Sequence, residues 1–348
     1  MASDRNEQIE NIRAIAIIIV MLGHSIILYT GWGVMDTSRT VPYISILKLF
    51  INVIEMPLFM SISGYVFFYS IRKGVQYGGF ILGKIKRTLI PYLFVGTLWM
   101  IPLHRLGGAY NPSENYMHQV FDFIFRMEGL GQLWFLISLF MIFAFFFPVI
   151  KVSEKTGGMG EISLLAVLLL ISYAVKSNQL LTSIDNVAIM RFFYYMFWFY
   201  LGYLINENSR RLFCCERKYR TFIGICCVIA FTVCFMLYND NHSETFYYSA
   251  ALFGVLSMYT LIPKKSNRIM KFISRNSFGM YLFHSPMVYI TFKYWGELNP
   301  YFVIMFNVFC LGSIATLMTV GLRHSPFALI IGEKSTLFKN SRSRGNGI

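Results

Sequence analysis

Acidic residues are scarce in this sequence: 17 Asp and Glu stand against 31 Lys and Arg, and charged residues together make up only 14% of 348. A soluble domain carries about 25% charged residues, so a chain this poor in charge cannot cover itself with a water-compatible surface. The six cysteines, Cys214, Cys215, Cys226, Cys227, Cys234 and Cys310, include no CxxC spacing. That argues against a disulfide framework and a thiolate metal site. Three of them fall in one apolar stretch and are expected to act as small buried hydrophobes. No internal repeat or low-complexity tract is present. No small-residue cleavage signature ends the first apolar run, which is therefore expected to be a retained span rather than a signal peptide.

What the sequence has in abundance is apolar surface. Hydrophobic residues reach 56%, aromatics 18%, and mean hydropathy is +0.54. Crossing a hydrocarbon core takes roughly 20 apolar residues as helix. Runs of this kind predict an all-α integral membrane protein with ten spans, near residues 12–30, 45–71, 89–103, 132–150, 162–176, 188–206, 221–238, 245–262, 277–294 and 301–322. The net charge of +14 does not point to nucleic acid, because the basic residues cluster between apolar runs. With the N-terminus in the cytoplasm, roughly three-quarters of the Lys and Arg fall on the cytoplasmic side, as orientation in a bilayer requires. Both termini are therefore expected inside, in the plasma or inner membrane. Residues 1–333 are expected to form the transmembrane domain and 334–348 a polar, disordered tail. In the long outer loop, Met117, Val120, Phe121, Ile124 and Phe125 follow helical spacing, which suggests an amphipathic helix on the membrane surface. The alternative is a lid packed on the bundle.

Each ionisable group inside a bilayer costs at least about 2.5–3.5 kcal/mol and needs an explanation. The first span holds Arg13 and His24. Eleven residues advance a helix by three turns plus roughly 20°, so both lie on one stripe about 16 Å apart along the axis. Glu10, three residues before Arg13, is spaced to pair with it. Snorkelling of Arg13 and a simple interhelical bond of His24 are the structural alternatives. The second span carries Glu55, together with Ser61, Ser63 and Gly64, which permit close helix approach.

An arginine, ten residues and a histidine in the first span resemble the signature of the acyltransferase-3 family of membrane O-acyltransferases. MPLFMSISGYVF, KIKRTLIPYL, GQLWFLISL and SFGMYLFHSPM agree in order along the second, third, fourth and ninth spans. The resemblance covers essentially the whole chain. It implies transfer of an acyl group, most simply acetyl from acetyl-CoA, to a hydroxyl of a bacterial cell-envelope polysaccharide or its lipid-linked precursor. The partners it implies are membrane lipids, acyl-CoA and a carbohydrate acceptor, with no metal and no nucleic acid.

Carried onto this chain, the resemblance makes His24 the general base, suited as neutral imidazole to take a hydroxyl proton. Arg13 and Glu10 accompany it, Glu55 could orient it, and His284 contacts the donor or relays a proton. Arg72, Lys84, Lys86, Arg87 and Arg275 line the cytoplasmic mouth where CoA phosphates would bind, although orientation in the bilayer also accounts for basic residues there. Trp134 stacks on a sugar or belongs to an interfacial belt, and Ser63 is a further substrate-side candidate. The family's RxxR before the third span is here Lys84 to Arg87, which keeps the charge but loses one guanidinium fork. The family's first-span Asp is here Glu10, and no esterase-like domain follows the last span. The rival from another class is a transporter or flippase of a lipid-linked sugar, which intramembrane charges would also suit. Against it, the two halves show no similarity of the kind many transporters have.

Overall fold

The computed structural model describes residues 4–32, 35, 40–111, 113–177, 186–209 and 216–335. Among these the chain is helical and has no strand. The helices are α1 (Asp4–Ile26), α2 (Pro42–Ile71), α3 (Tyr77–Leu106), α4 (Tyr116–Phe121), α5 (Trp134–Lys176), α6 (Val187–Glu207), α7 (Arg217–Asn241), α8 (Glu244–Leu261), α9 (Arg268–Trp295) and α10 (Pro300–Arg323). Their starts follow from sequence. Asn115, Asn186 and Asn299 accept N-terminal amide hydrogens of α4, α6 and α10, and Pro300 fills the first position of α10, where no donor is needed. α5 bends at Gly157, whose φ of 68° leaves the helical region.

Eight helical segments are long and apolar enough to cross a membrane, and the chain is a multi-pass membrane protein. The sequence reading expected ten spans. The two outside the eight are α8 and α9. α9 opens with Arg268, Lys271 and Arg275 in its first two turns, and α8 is rich in Tyr, Ser and Thr. Both are helices, of 18 and 28 residues, but polar groups dilute their hydropathy. Arg39, Arg210, Arg211, Cys214, Cys215 and residues 336–348, which the sequence reading used for charge balance, cysteine role or tail, lie outside the described residues.

Prolines in α3 stand beside π turns. Ile85–Leu89 precedes Pro91 and Gly96–Met100 precedes Pro102, so the wider turns take up the missing amide bonds. A third π turn, Asp122–Arg126, extends α4, and a fourth, Asn307–Leu311, sits within α10.

The chain forms two compact units. The first holds residues 1–16, 49–80 and 141–271. Here α2 and α6 touch backbone to backbone: a Cβ on Gly64 would lie 1.8 Å from the Phe199 carbonyl oxygen, and one on Gly202 would lie 1.9 Å from that of Ser61. Lipid provides no hydrophobic drive between helices, so such small-residue contacts carry the association. Phe67, Phe143, Phe146 and Phe199 fill the space beside that crossing. Gln8 and Asn11 of α1 donate to the carbonyls of Tyr259, Ile262, Pro263 and Lys265, satisfying the end of α8 and the turn after it. The second unit holds residues 17–48, 81–140 and 272–348. Trp99 donates to the Phe283 carbonyl, and Thr291 to Asn307, tying α3 to α9 and α9 to α10.

The cysteine expectation needs correction. Cys227 is buried, but Cys226 and Cys310 are exposed. α7 turns most of its apolar surface outward, which a bilayer tolerates and water would not, so an apolar setting did not mean an interior one.

Candidate active site

In the second unit α1 and α9 bring two histidines together. His24 Nδ1 lies 3.1 Å from His284 Nε2, and the rings meet edge to face with centroids 5.0 Å apart. Each ring also faces a carbonyl one turn back in its own helix: His284 Nδ1 is 2.7 Å from the Met280 oxygen, and His24 Nδ1 is 3.1 Å from that of Val20. A carbonyl can only accept, so in the neutral pair His284 carries its proton on Nδ1 and offers Nε2 as acceptor. His24 must then donate from Nδ1, which assigns the lone pair to His24 Nε2. The two backbone carbonyls thus fix both tautomers and leave His24 as the ring with a basic nitrogen to offer.

Lys48 of α2 is 4% exposed, and its charge acts on His24. Nothing in a single lysine near the start of an apolar run marks it in the sequence as a neighbour of His24.

The basic cluster is partly assembled in the same unit. Lys84 ends a helical turn and Lys86 and Arg87 stand on the π turn Ile85–Leu89, both exposed, while Thr88 donates back to the Lys84 carbonyl. Arg275 is exposed near the start of α9. Trp134 is buried at the start of α5, its ring perpendicular to that of Phe135.

The other candidates belong to the first unit. Arg13 acts electrostatically on the Tyr259 hydroxyl, which is 3.3 Å from Ser61 Oγ. Glu10 lies within the field of Lys271, the lysine that Glu7 bonds at 2.5 Å. Glu55 is buried and acts on Tyr195. Ser63 gives its hydroxyl to the Phe59 carbonyl at 2.9 Å. Arg72 pairs with Glu207 at 3.1 Å and lies over the Phe68 ring.

The expected amphipathic helix is present as α4 with its π turn. Met117, Phe121 and Phe125 are exposed, whereas Gln119 and Phe123 point inward, Phe123 stacking on Tyr92. One face packs inward and the other is apolar and open. Among the described residues no three His, Cys, Asp or Glu side chains are grouped to hold a metal ion.

No curated protein and no solved structure gives a significant match to the chain. A family model for the acyltransferase domain of the acyltransferase-3 type matches residues 6–320, which include both histidines and the basic cluster. With a paired-imidazole site on membrane helices and a match over nearly its whole length, the chain belongs to the acyltransferase-3 family of membrane acyltransferases.

Proposed function

We propose that the protein moves an acyl group, acetyl in the simplest case, from acyl-CoA to a hydroxyl of a cell-envelope polysaccharide or its lipid-linked precursor, in the plasma or inner membrane. The observation that carries this reading is the His24–His284 contact with a backbone carbonyl one turn behind each ring, from which the tautomer order follows. In the proposed step His24 Nε2 removes the acceptor hydroxyl proton as that oxygen attacks the thioester carbonyl. The tetrahedral intermediate then collapses, the carbon–sulfur bond breaks, and the imidazolium returns its proton to the departing thiolate. His284 Nε2 and the Val20 carbonyl hold His24 Nδ1–H throughout, as an orienting acceptor does in other acyl-transfer sites. The buried Lys48 supplies positive charge for the thioester oxyanion. The exposed Arg87, with Lys84, Lys86 and Arg275, binds the CoA phosphates, which suit charge-assisted hydrogen bonds.

The test is direct. Purified protein in detergent or nanodiscs is given isotopically labelled acetyl-CoA and a lipid-linked glycan, and O-acyl signals are read by NMR. Wild type should transfer label and His24→Gln should not. Transport of the glycan without acylation would replace this reading with the flippase one.

A further inference from the structure

The end of the second unit contains an ion pair that the proposed chemistry does not use. Arg323, the last residue of α10, is buried with its side chain 5% exposed, a costly position for a guanidinium. Four donor contacts offset that cost. Nε and Nη2 reach the two carboxylate oxygens of Glu333 at 2.6 and 3.0 Å, Nη1 reaches Asn276 Oδ1 at 2.7 Å, and Nη2 also reaches the Arg275 carbonyl at 3.1 Å. The residue before Glu333 is Gly332, at φ 64°, in a left-handed conformation that favours glycine. A Cβ there would lie 2.8 Å from the carbonyl oxygen and 2.9 Å from the Cα of Arg87. The short helical turn Ala328–Ile331 leads into this contact, with Ala328 and Ile331 buried.

One buried guanidinium is therefore bonded to the backbone of one exposed arginine, Arg275. Through Glu333 it also fixes the glycine packed on the backbone of another, Arg87. We infer that Arg323 and Glu333 form a latch that positions Arg87 and Arg275 for a polyanionic phosphate ligand. This role rests on the reading of these arginines as the CoA phosphate site. The latch residues touch no ligand themselves. They act by fixing where the π turn Ile85–Leu89 and the start of α9 present their guanidinium groups. A bidentate arginine–carboxylate pair has the directionality for that task, and a lysine or a neutral amide would lack it.

Isothermal titration of free CoA into the full-length protein, with separate KM values for donor and acceptor, tests the latch. Glu333→Gln breaks the ion pair, and Gly332→Ala keeps both of its charges but forces the segment off Arg87. Each should weaken CoA binding about tenfold, the scale of one lost charge-assisted bond, and raise donor KM while acceptor KM stays unchanged. Glu333→Asp should recover part of the loss. Gly321→Ala, with nothing within 4 Å of its Cβ, serves as the control and should bind as wild type. Unchanged CoA affinity in both variants would overturn the latch. So would a loss shared equally by donor and acceptor, which marks general destabilisation. If Glu333→Gln does not purify folded, Gly332→Ala decides alone. A wild type that binds no CoA would overturn the donor reading, and the latch with it, a result distinct from a wild type that binds and variants that match it.

Discussion

His24 Nδ1 and His284 Nε2, 260 residues apart in sequence, share one hydrogen bond of 3.1 Å, with a backbone carbonyl behind each ring. That order gives the two histidines unequal parts. His24→Gln removes the proposed base and should cost at least 10²–10⁴-fold in turnover. His284→Gln keeps an amide oxygen able to accept from His24 and should lose only about tenfold, whereas His284→Phe should lose far more. Single-turnover rates at matched thermal stability check this. Equal losses in His284→Gln and His24→Gln would contradict the division of roles.

In the proposed mechanism Lys48 contributes through charge rather than shape. Lys48→Met, similar in length but neutral, should lower kcat by roughly 10²-fold or more while donor KM changes little, as loss of an oxyanion-stabilising group does. Lys48→Arg should recover part of the rate. A kcat near wild type in Lys48→Met would leave the lysine with a structural role only.

The proposed CoA site distinguishes arginines in different settings. Arg87→Ala should raise donor KM roughly 10- to 150-fold, the equivalent of one lost charge-assisted bond of about 1.5–3 kcal/mol. Arg72 is engaged by Glu207, and Arg72→Ala should change donor KM by less than about threefold, as an exposed pair worth about 0–1 kcal/mol would. Steady-state kinetics with varied acyl-CoA decides, and equal effects from the two variants would remove the distinction.

The α2–α6 crossing leaves no room for a methyl group. Gly64→Ala and Gly202→Ala should each destabilise the protein by at least about 1–3 kcal/mol. Gly78→Ala, with nothing within 4 Å of its Cβ, should be neutral by comparison. Thermal unfolding in one detergent, followed by tryptophan fluorescence, compares the three. A melting temperature unchanged in Gly64→Ala would contradict the close approach.

Orientation in the bilayer can be measured by cysteine labelling in intact cells. Probes at residues 75 and 267 should be protected from an impermeant reagent, and probes at 115 and 242 should react. Reaction at 75 or 267 would invert the charge-based topology.

How much of this was legible in sequence depended on how local each signal was. Long apolar runs gave the helices, because a span states its own length and composition in consecutive residues. Arg13 and His24 drew notice for the same reason: a charge in an apolar run is visible without a partner. Partnerships were not visible. Lys48 and Arg323 looked like two more basic residues beside spans, and only folding buries one near His24 and the other against Glu333. The exposed Cys226 shows the reverse failure, since apolar neighbours mark a bilayer setting as readily as an interior. α8 and α9 fell below the threshold of a simple apolar span because Tyr, Ser and cationic residues that pack or bind within the protein dilute their hydropathy.

The π turn at Ile85–Leu89 has a consequence for the phase of α3. A π turn is one residue inserted into an α-helix, so everything before it is rotated by about 100° relative to everything after it. Lys84 therefore faces a direction that regular helical spacing from Tyr92 would not give. An alignment that places these cations by counting in steps of three and four from the third span would put them on the wrong side. Deleting an uncharged residue within the turn would restore a regular helix and keep Lys84 in its present phase relative to Tyr92, whereas straightening the turn at full length would rotate Lys84 by about 100°. The spacing of the basic motif is therefore as much a part of its chemistry as the identity of its residues.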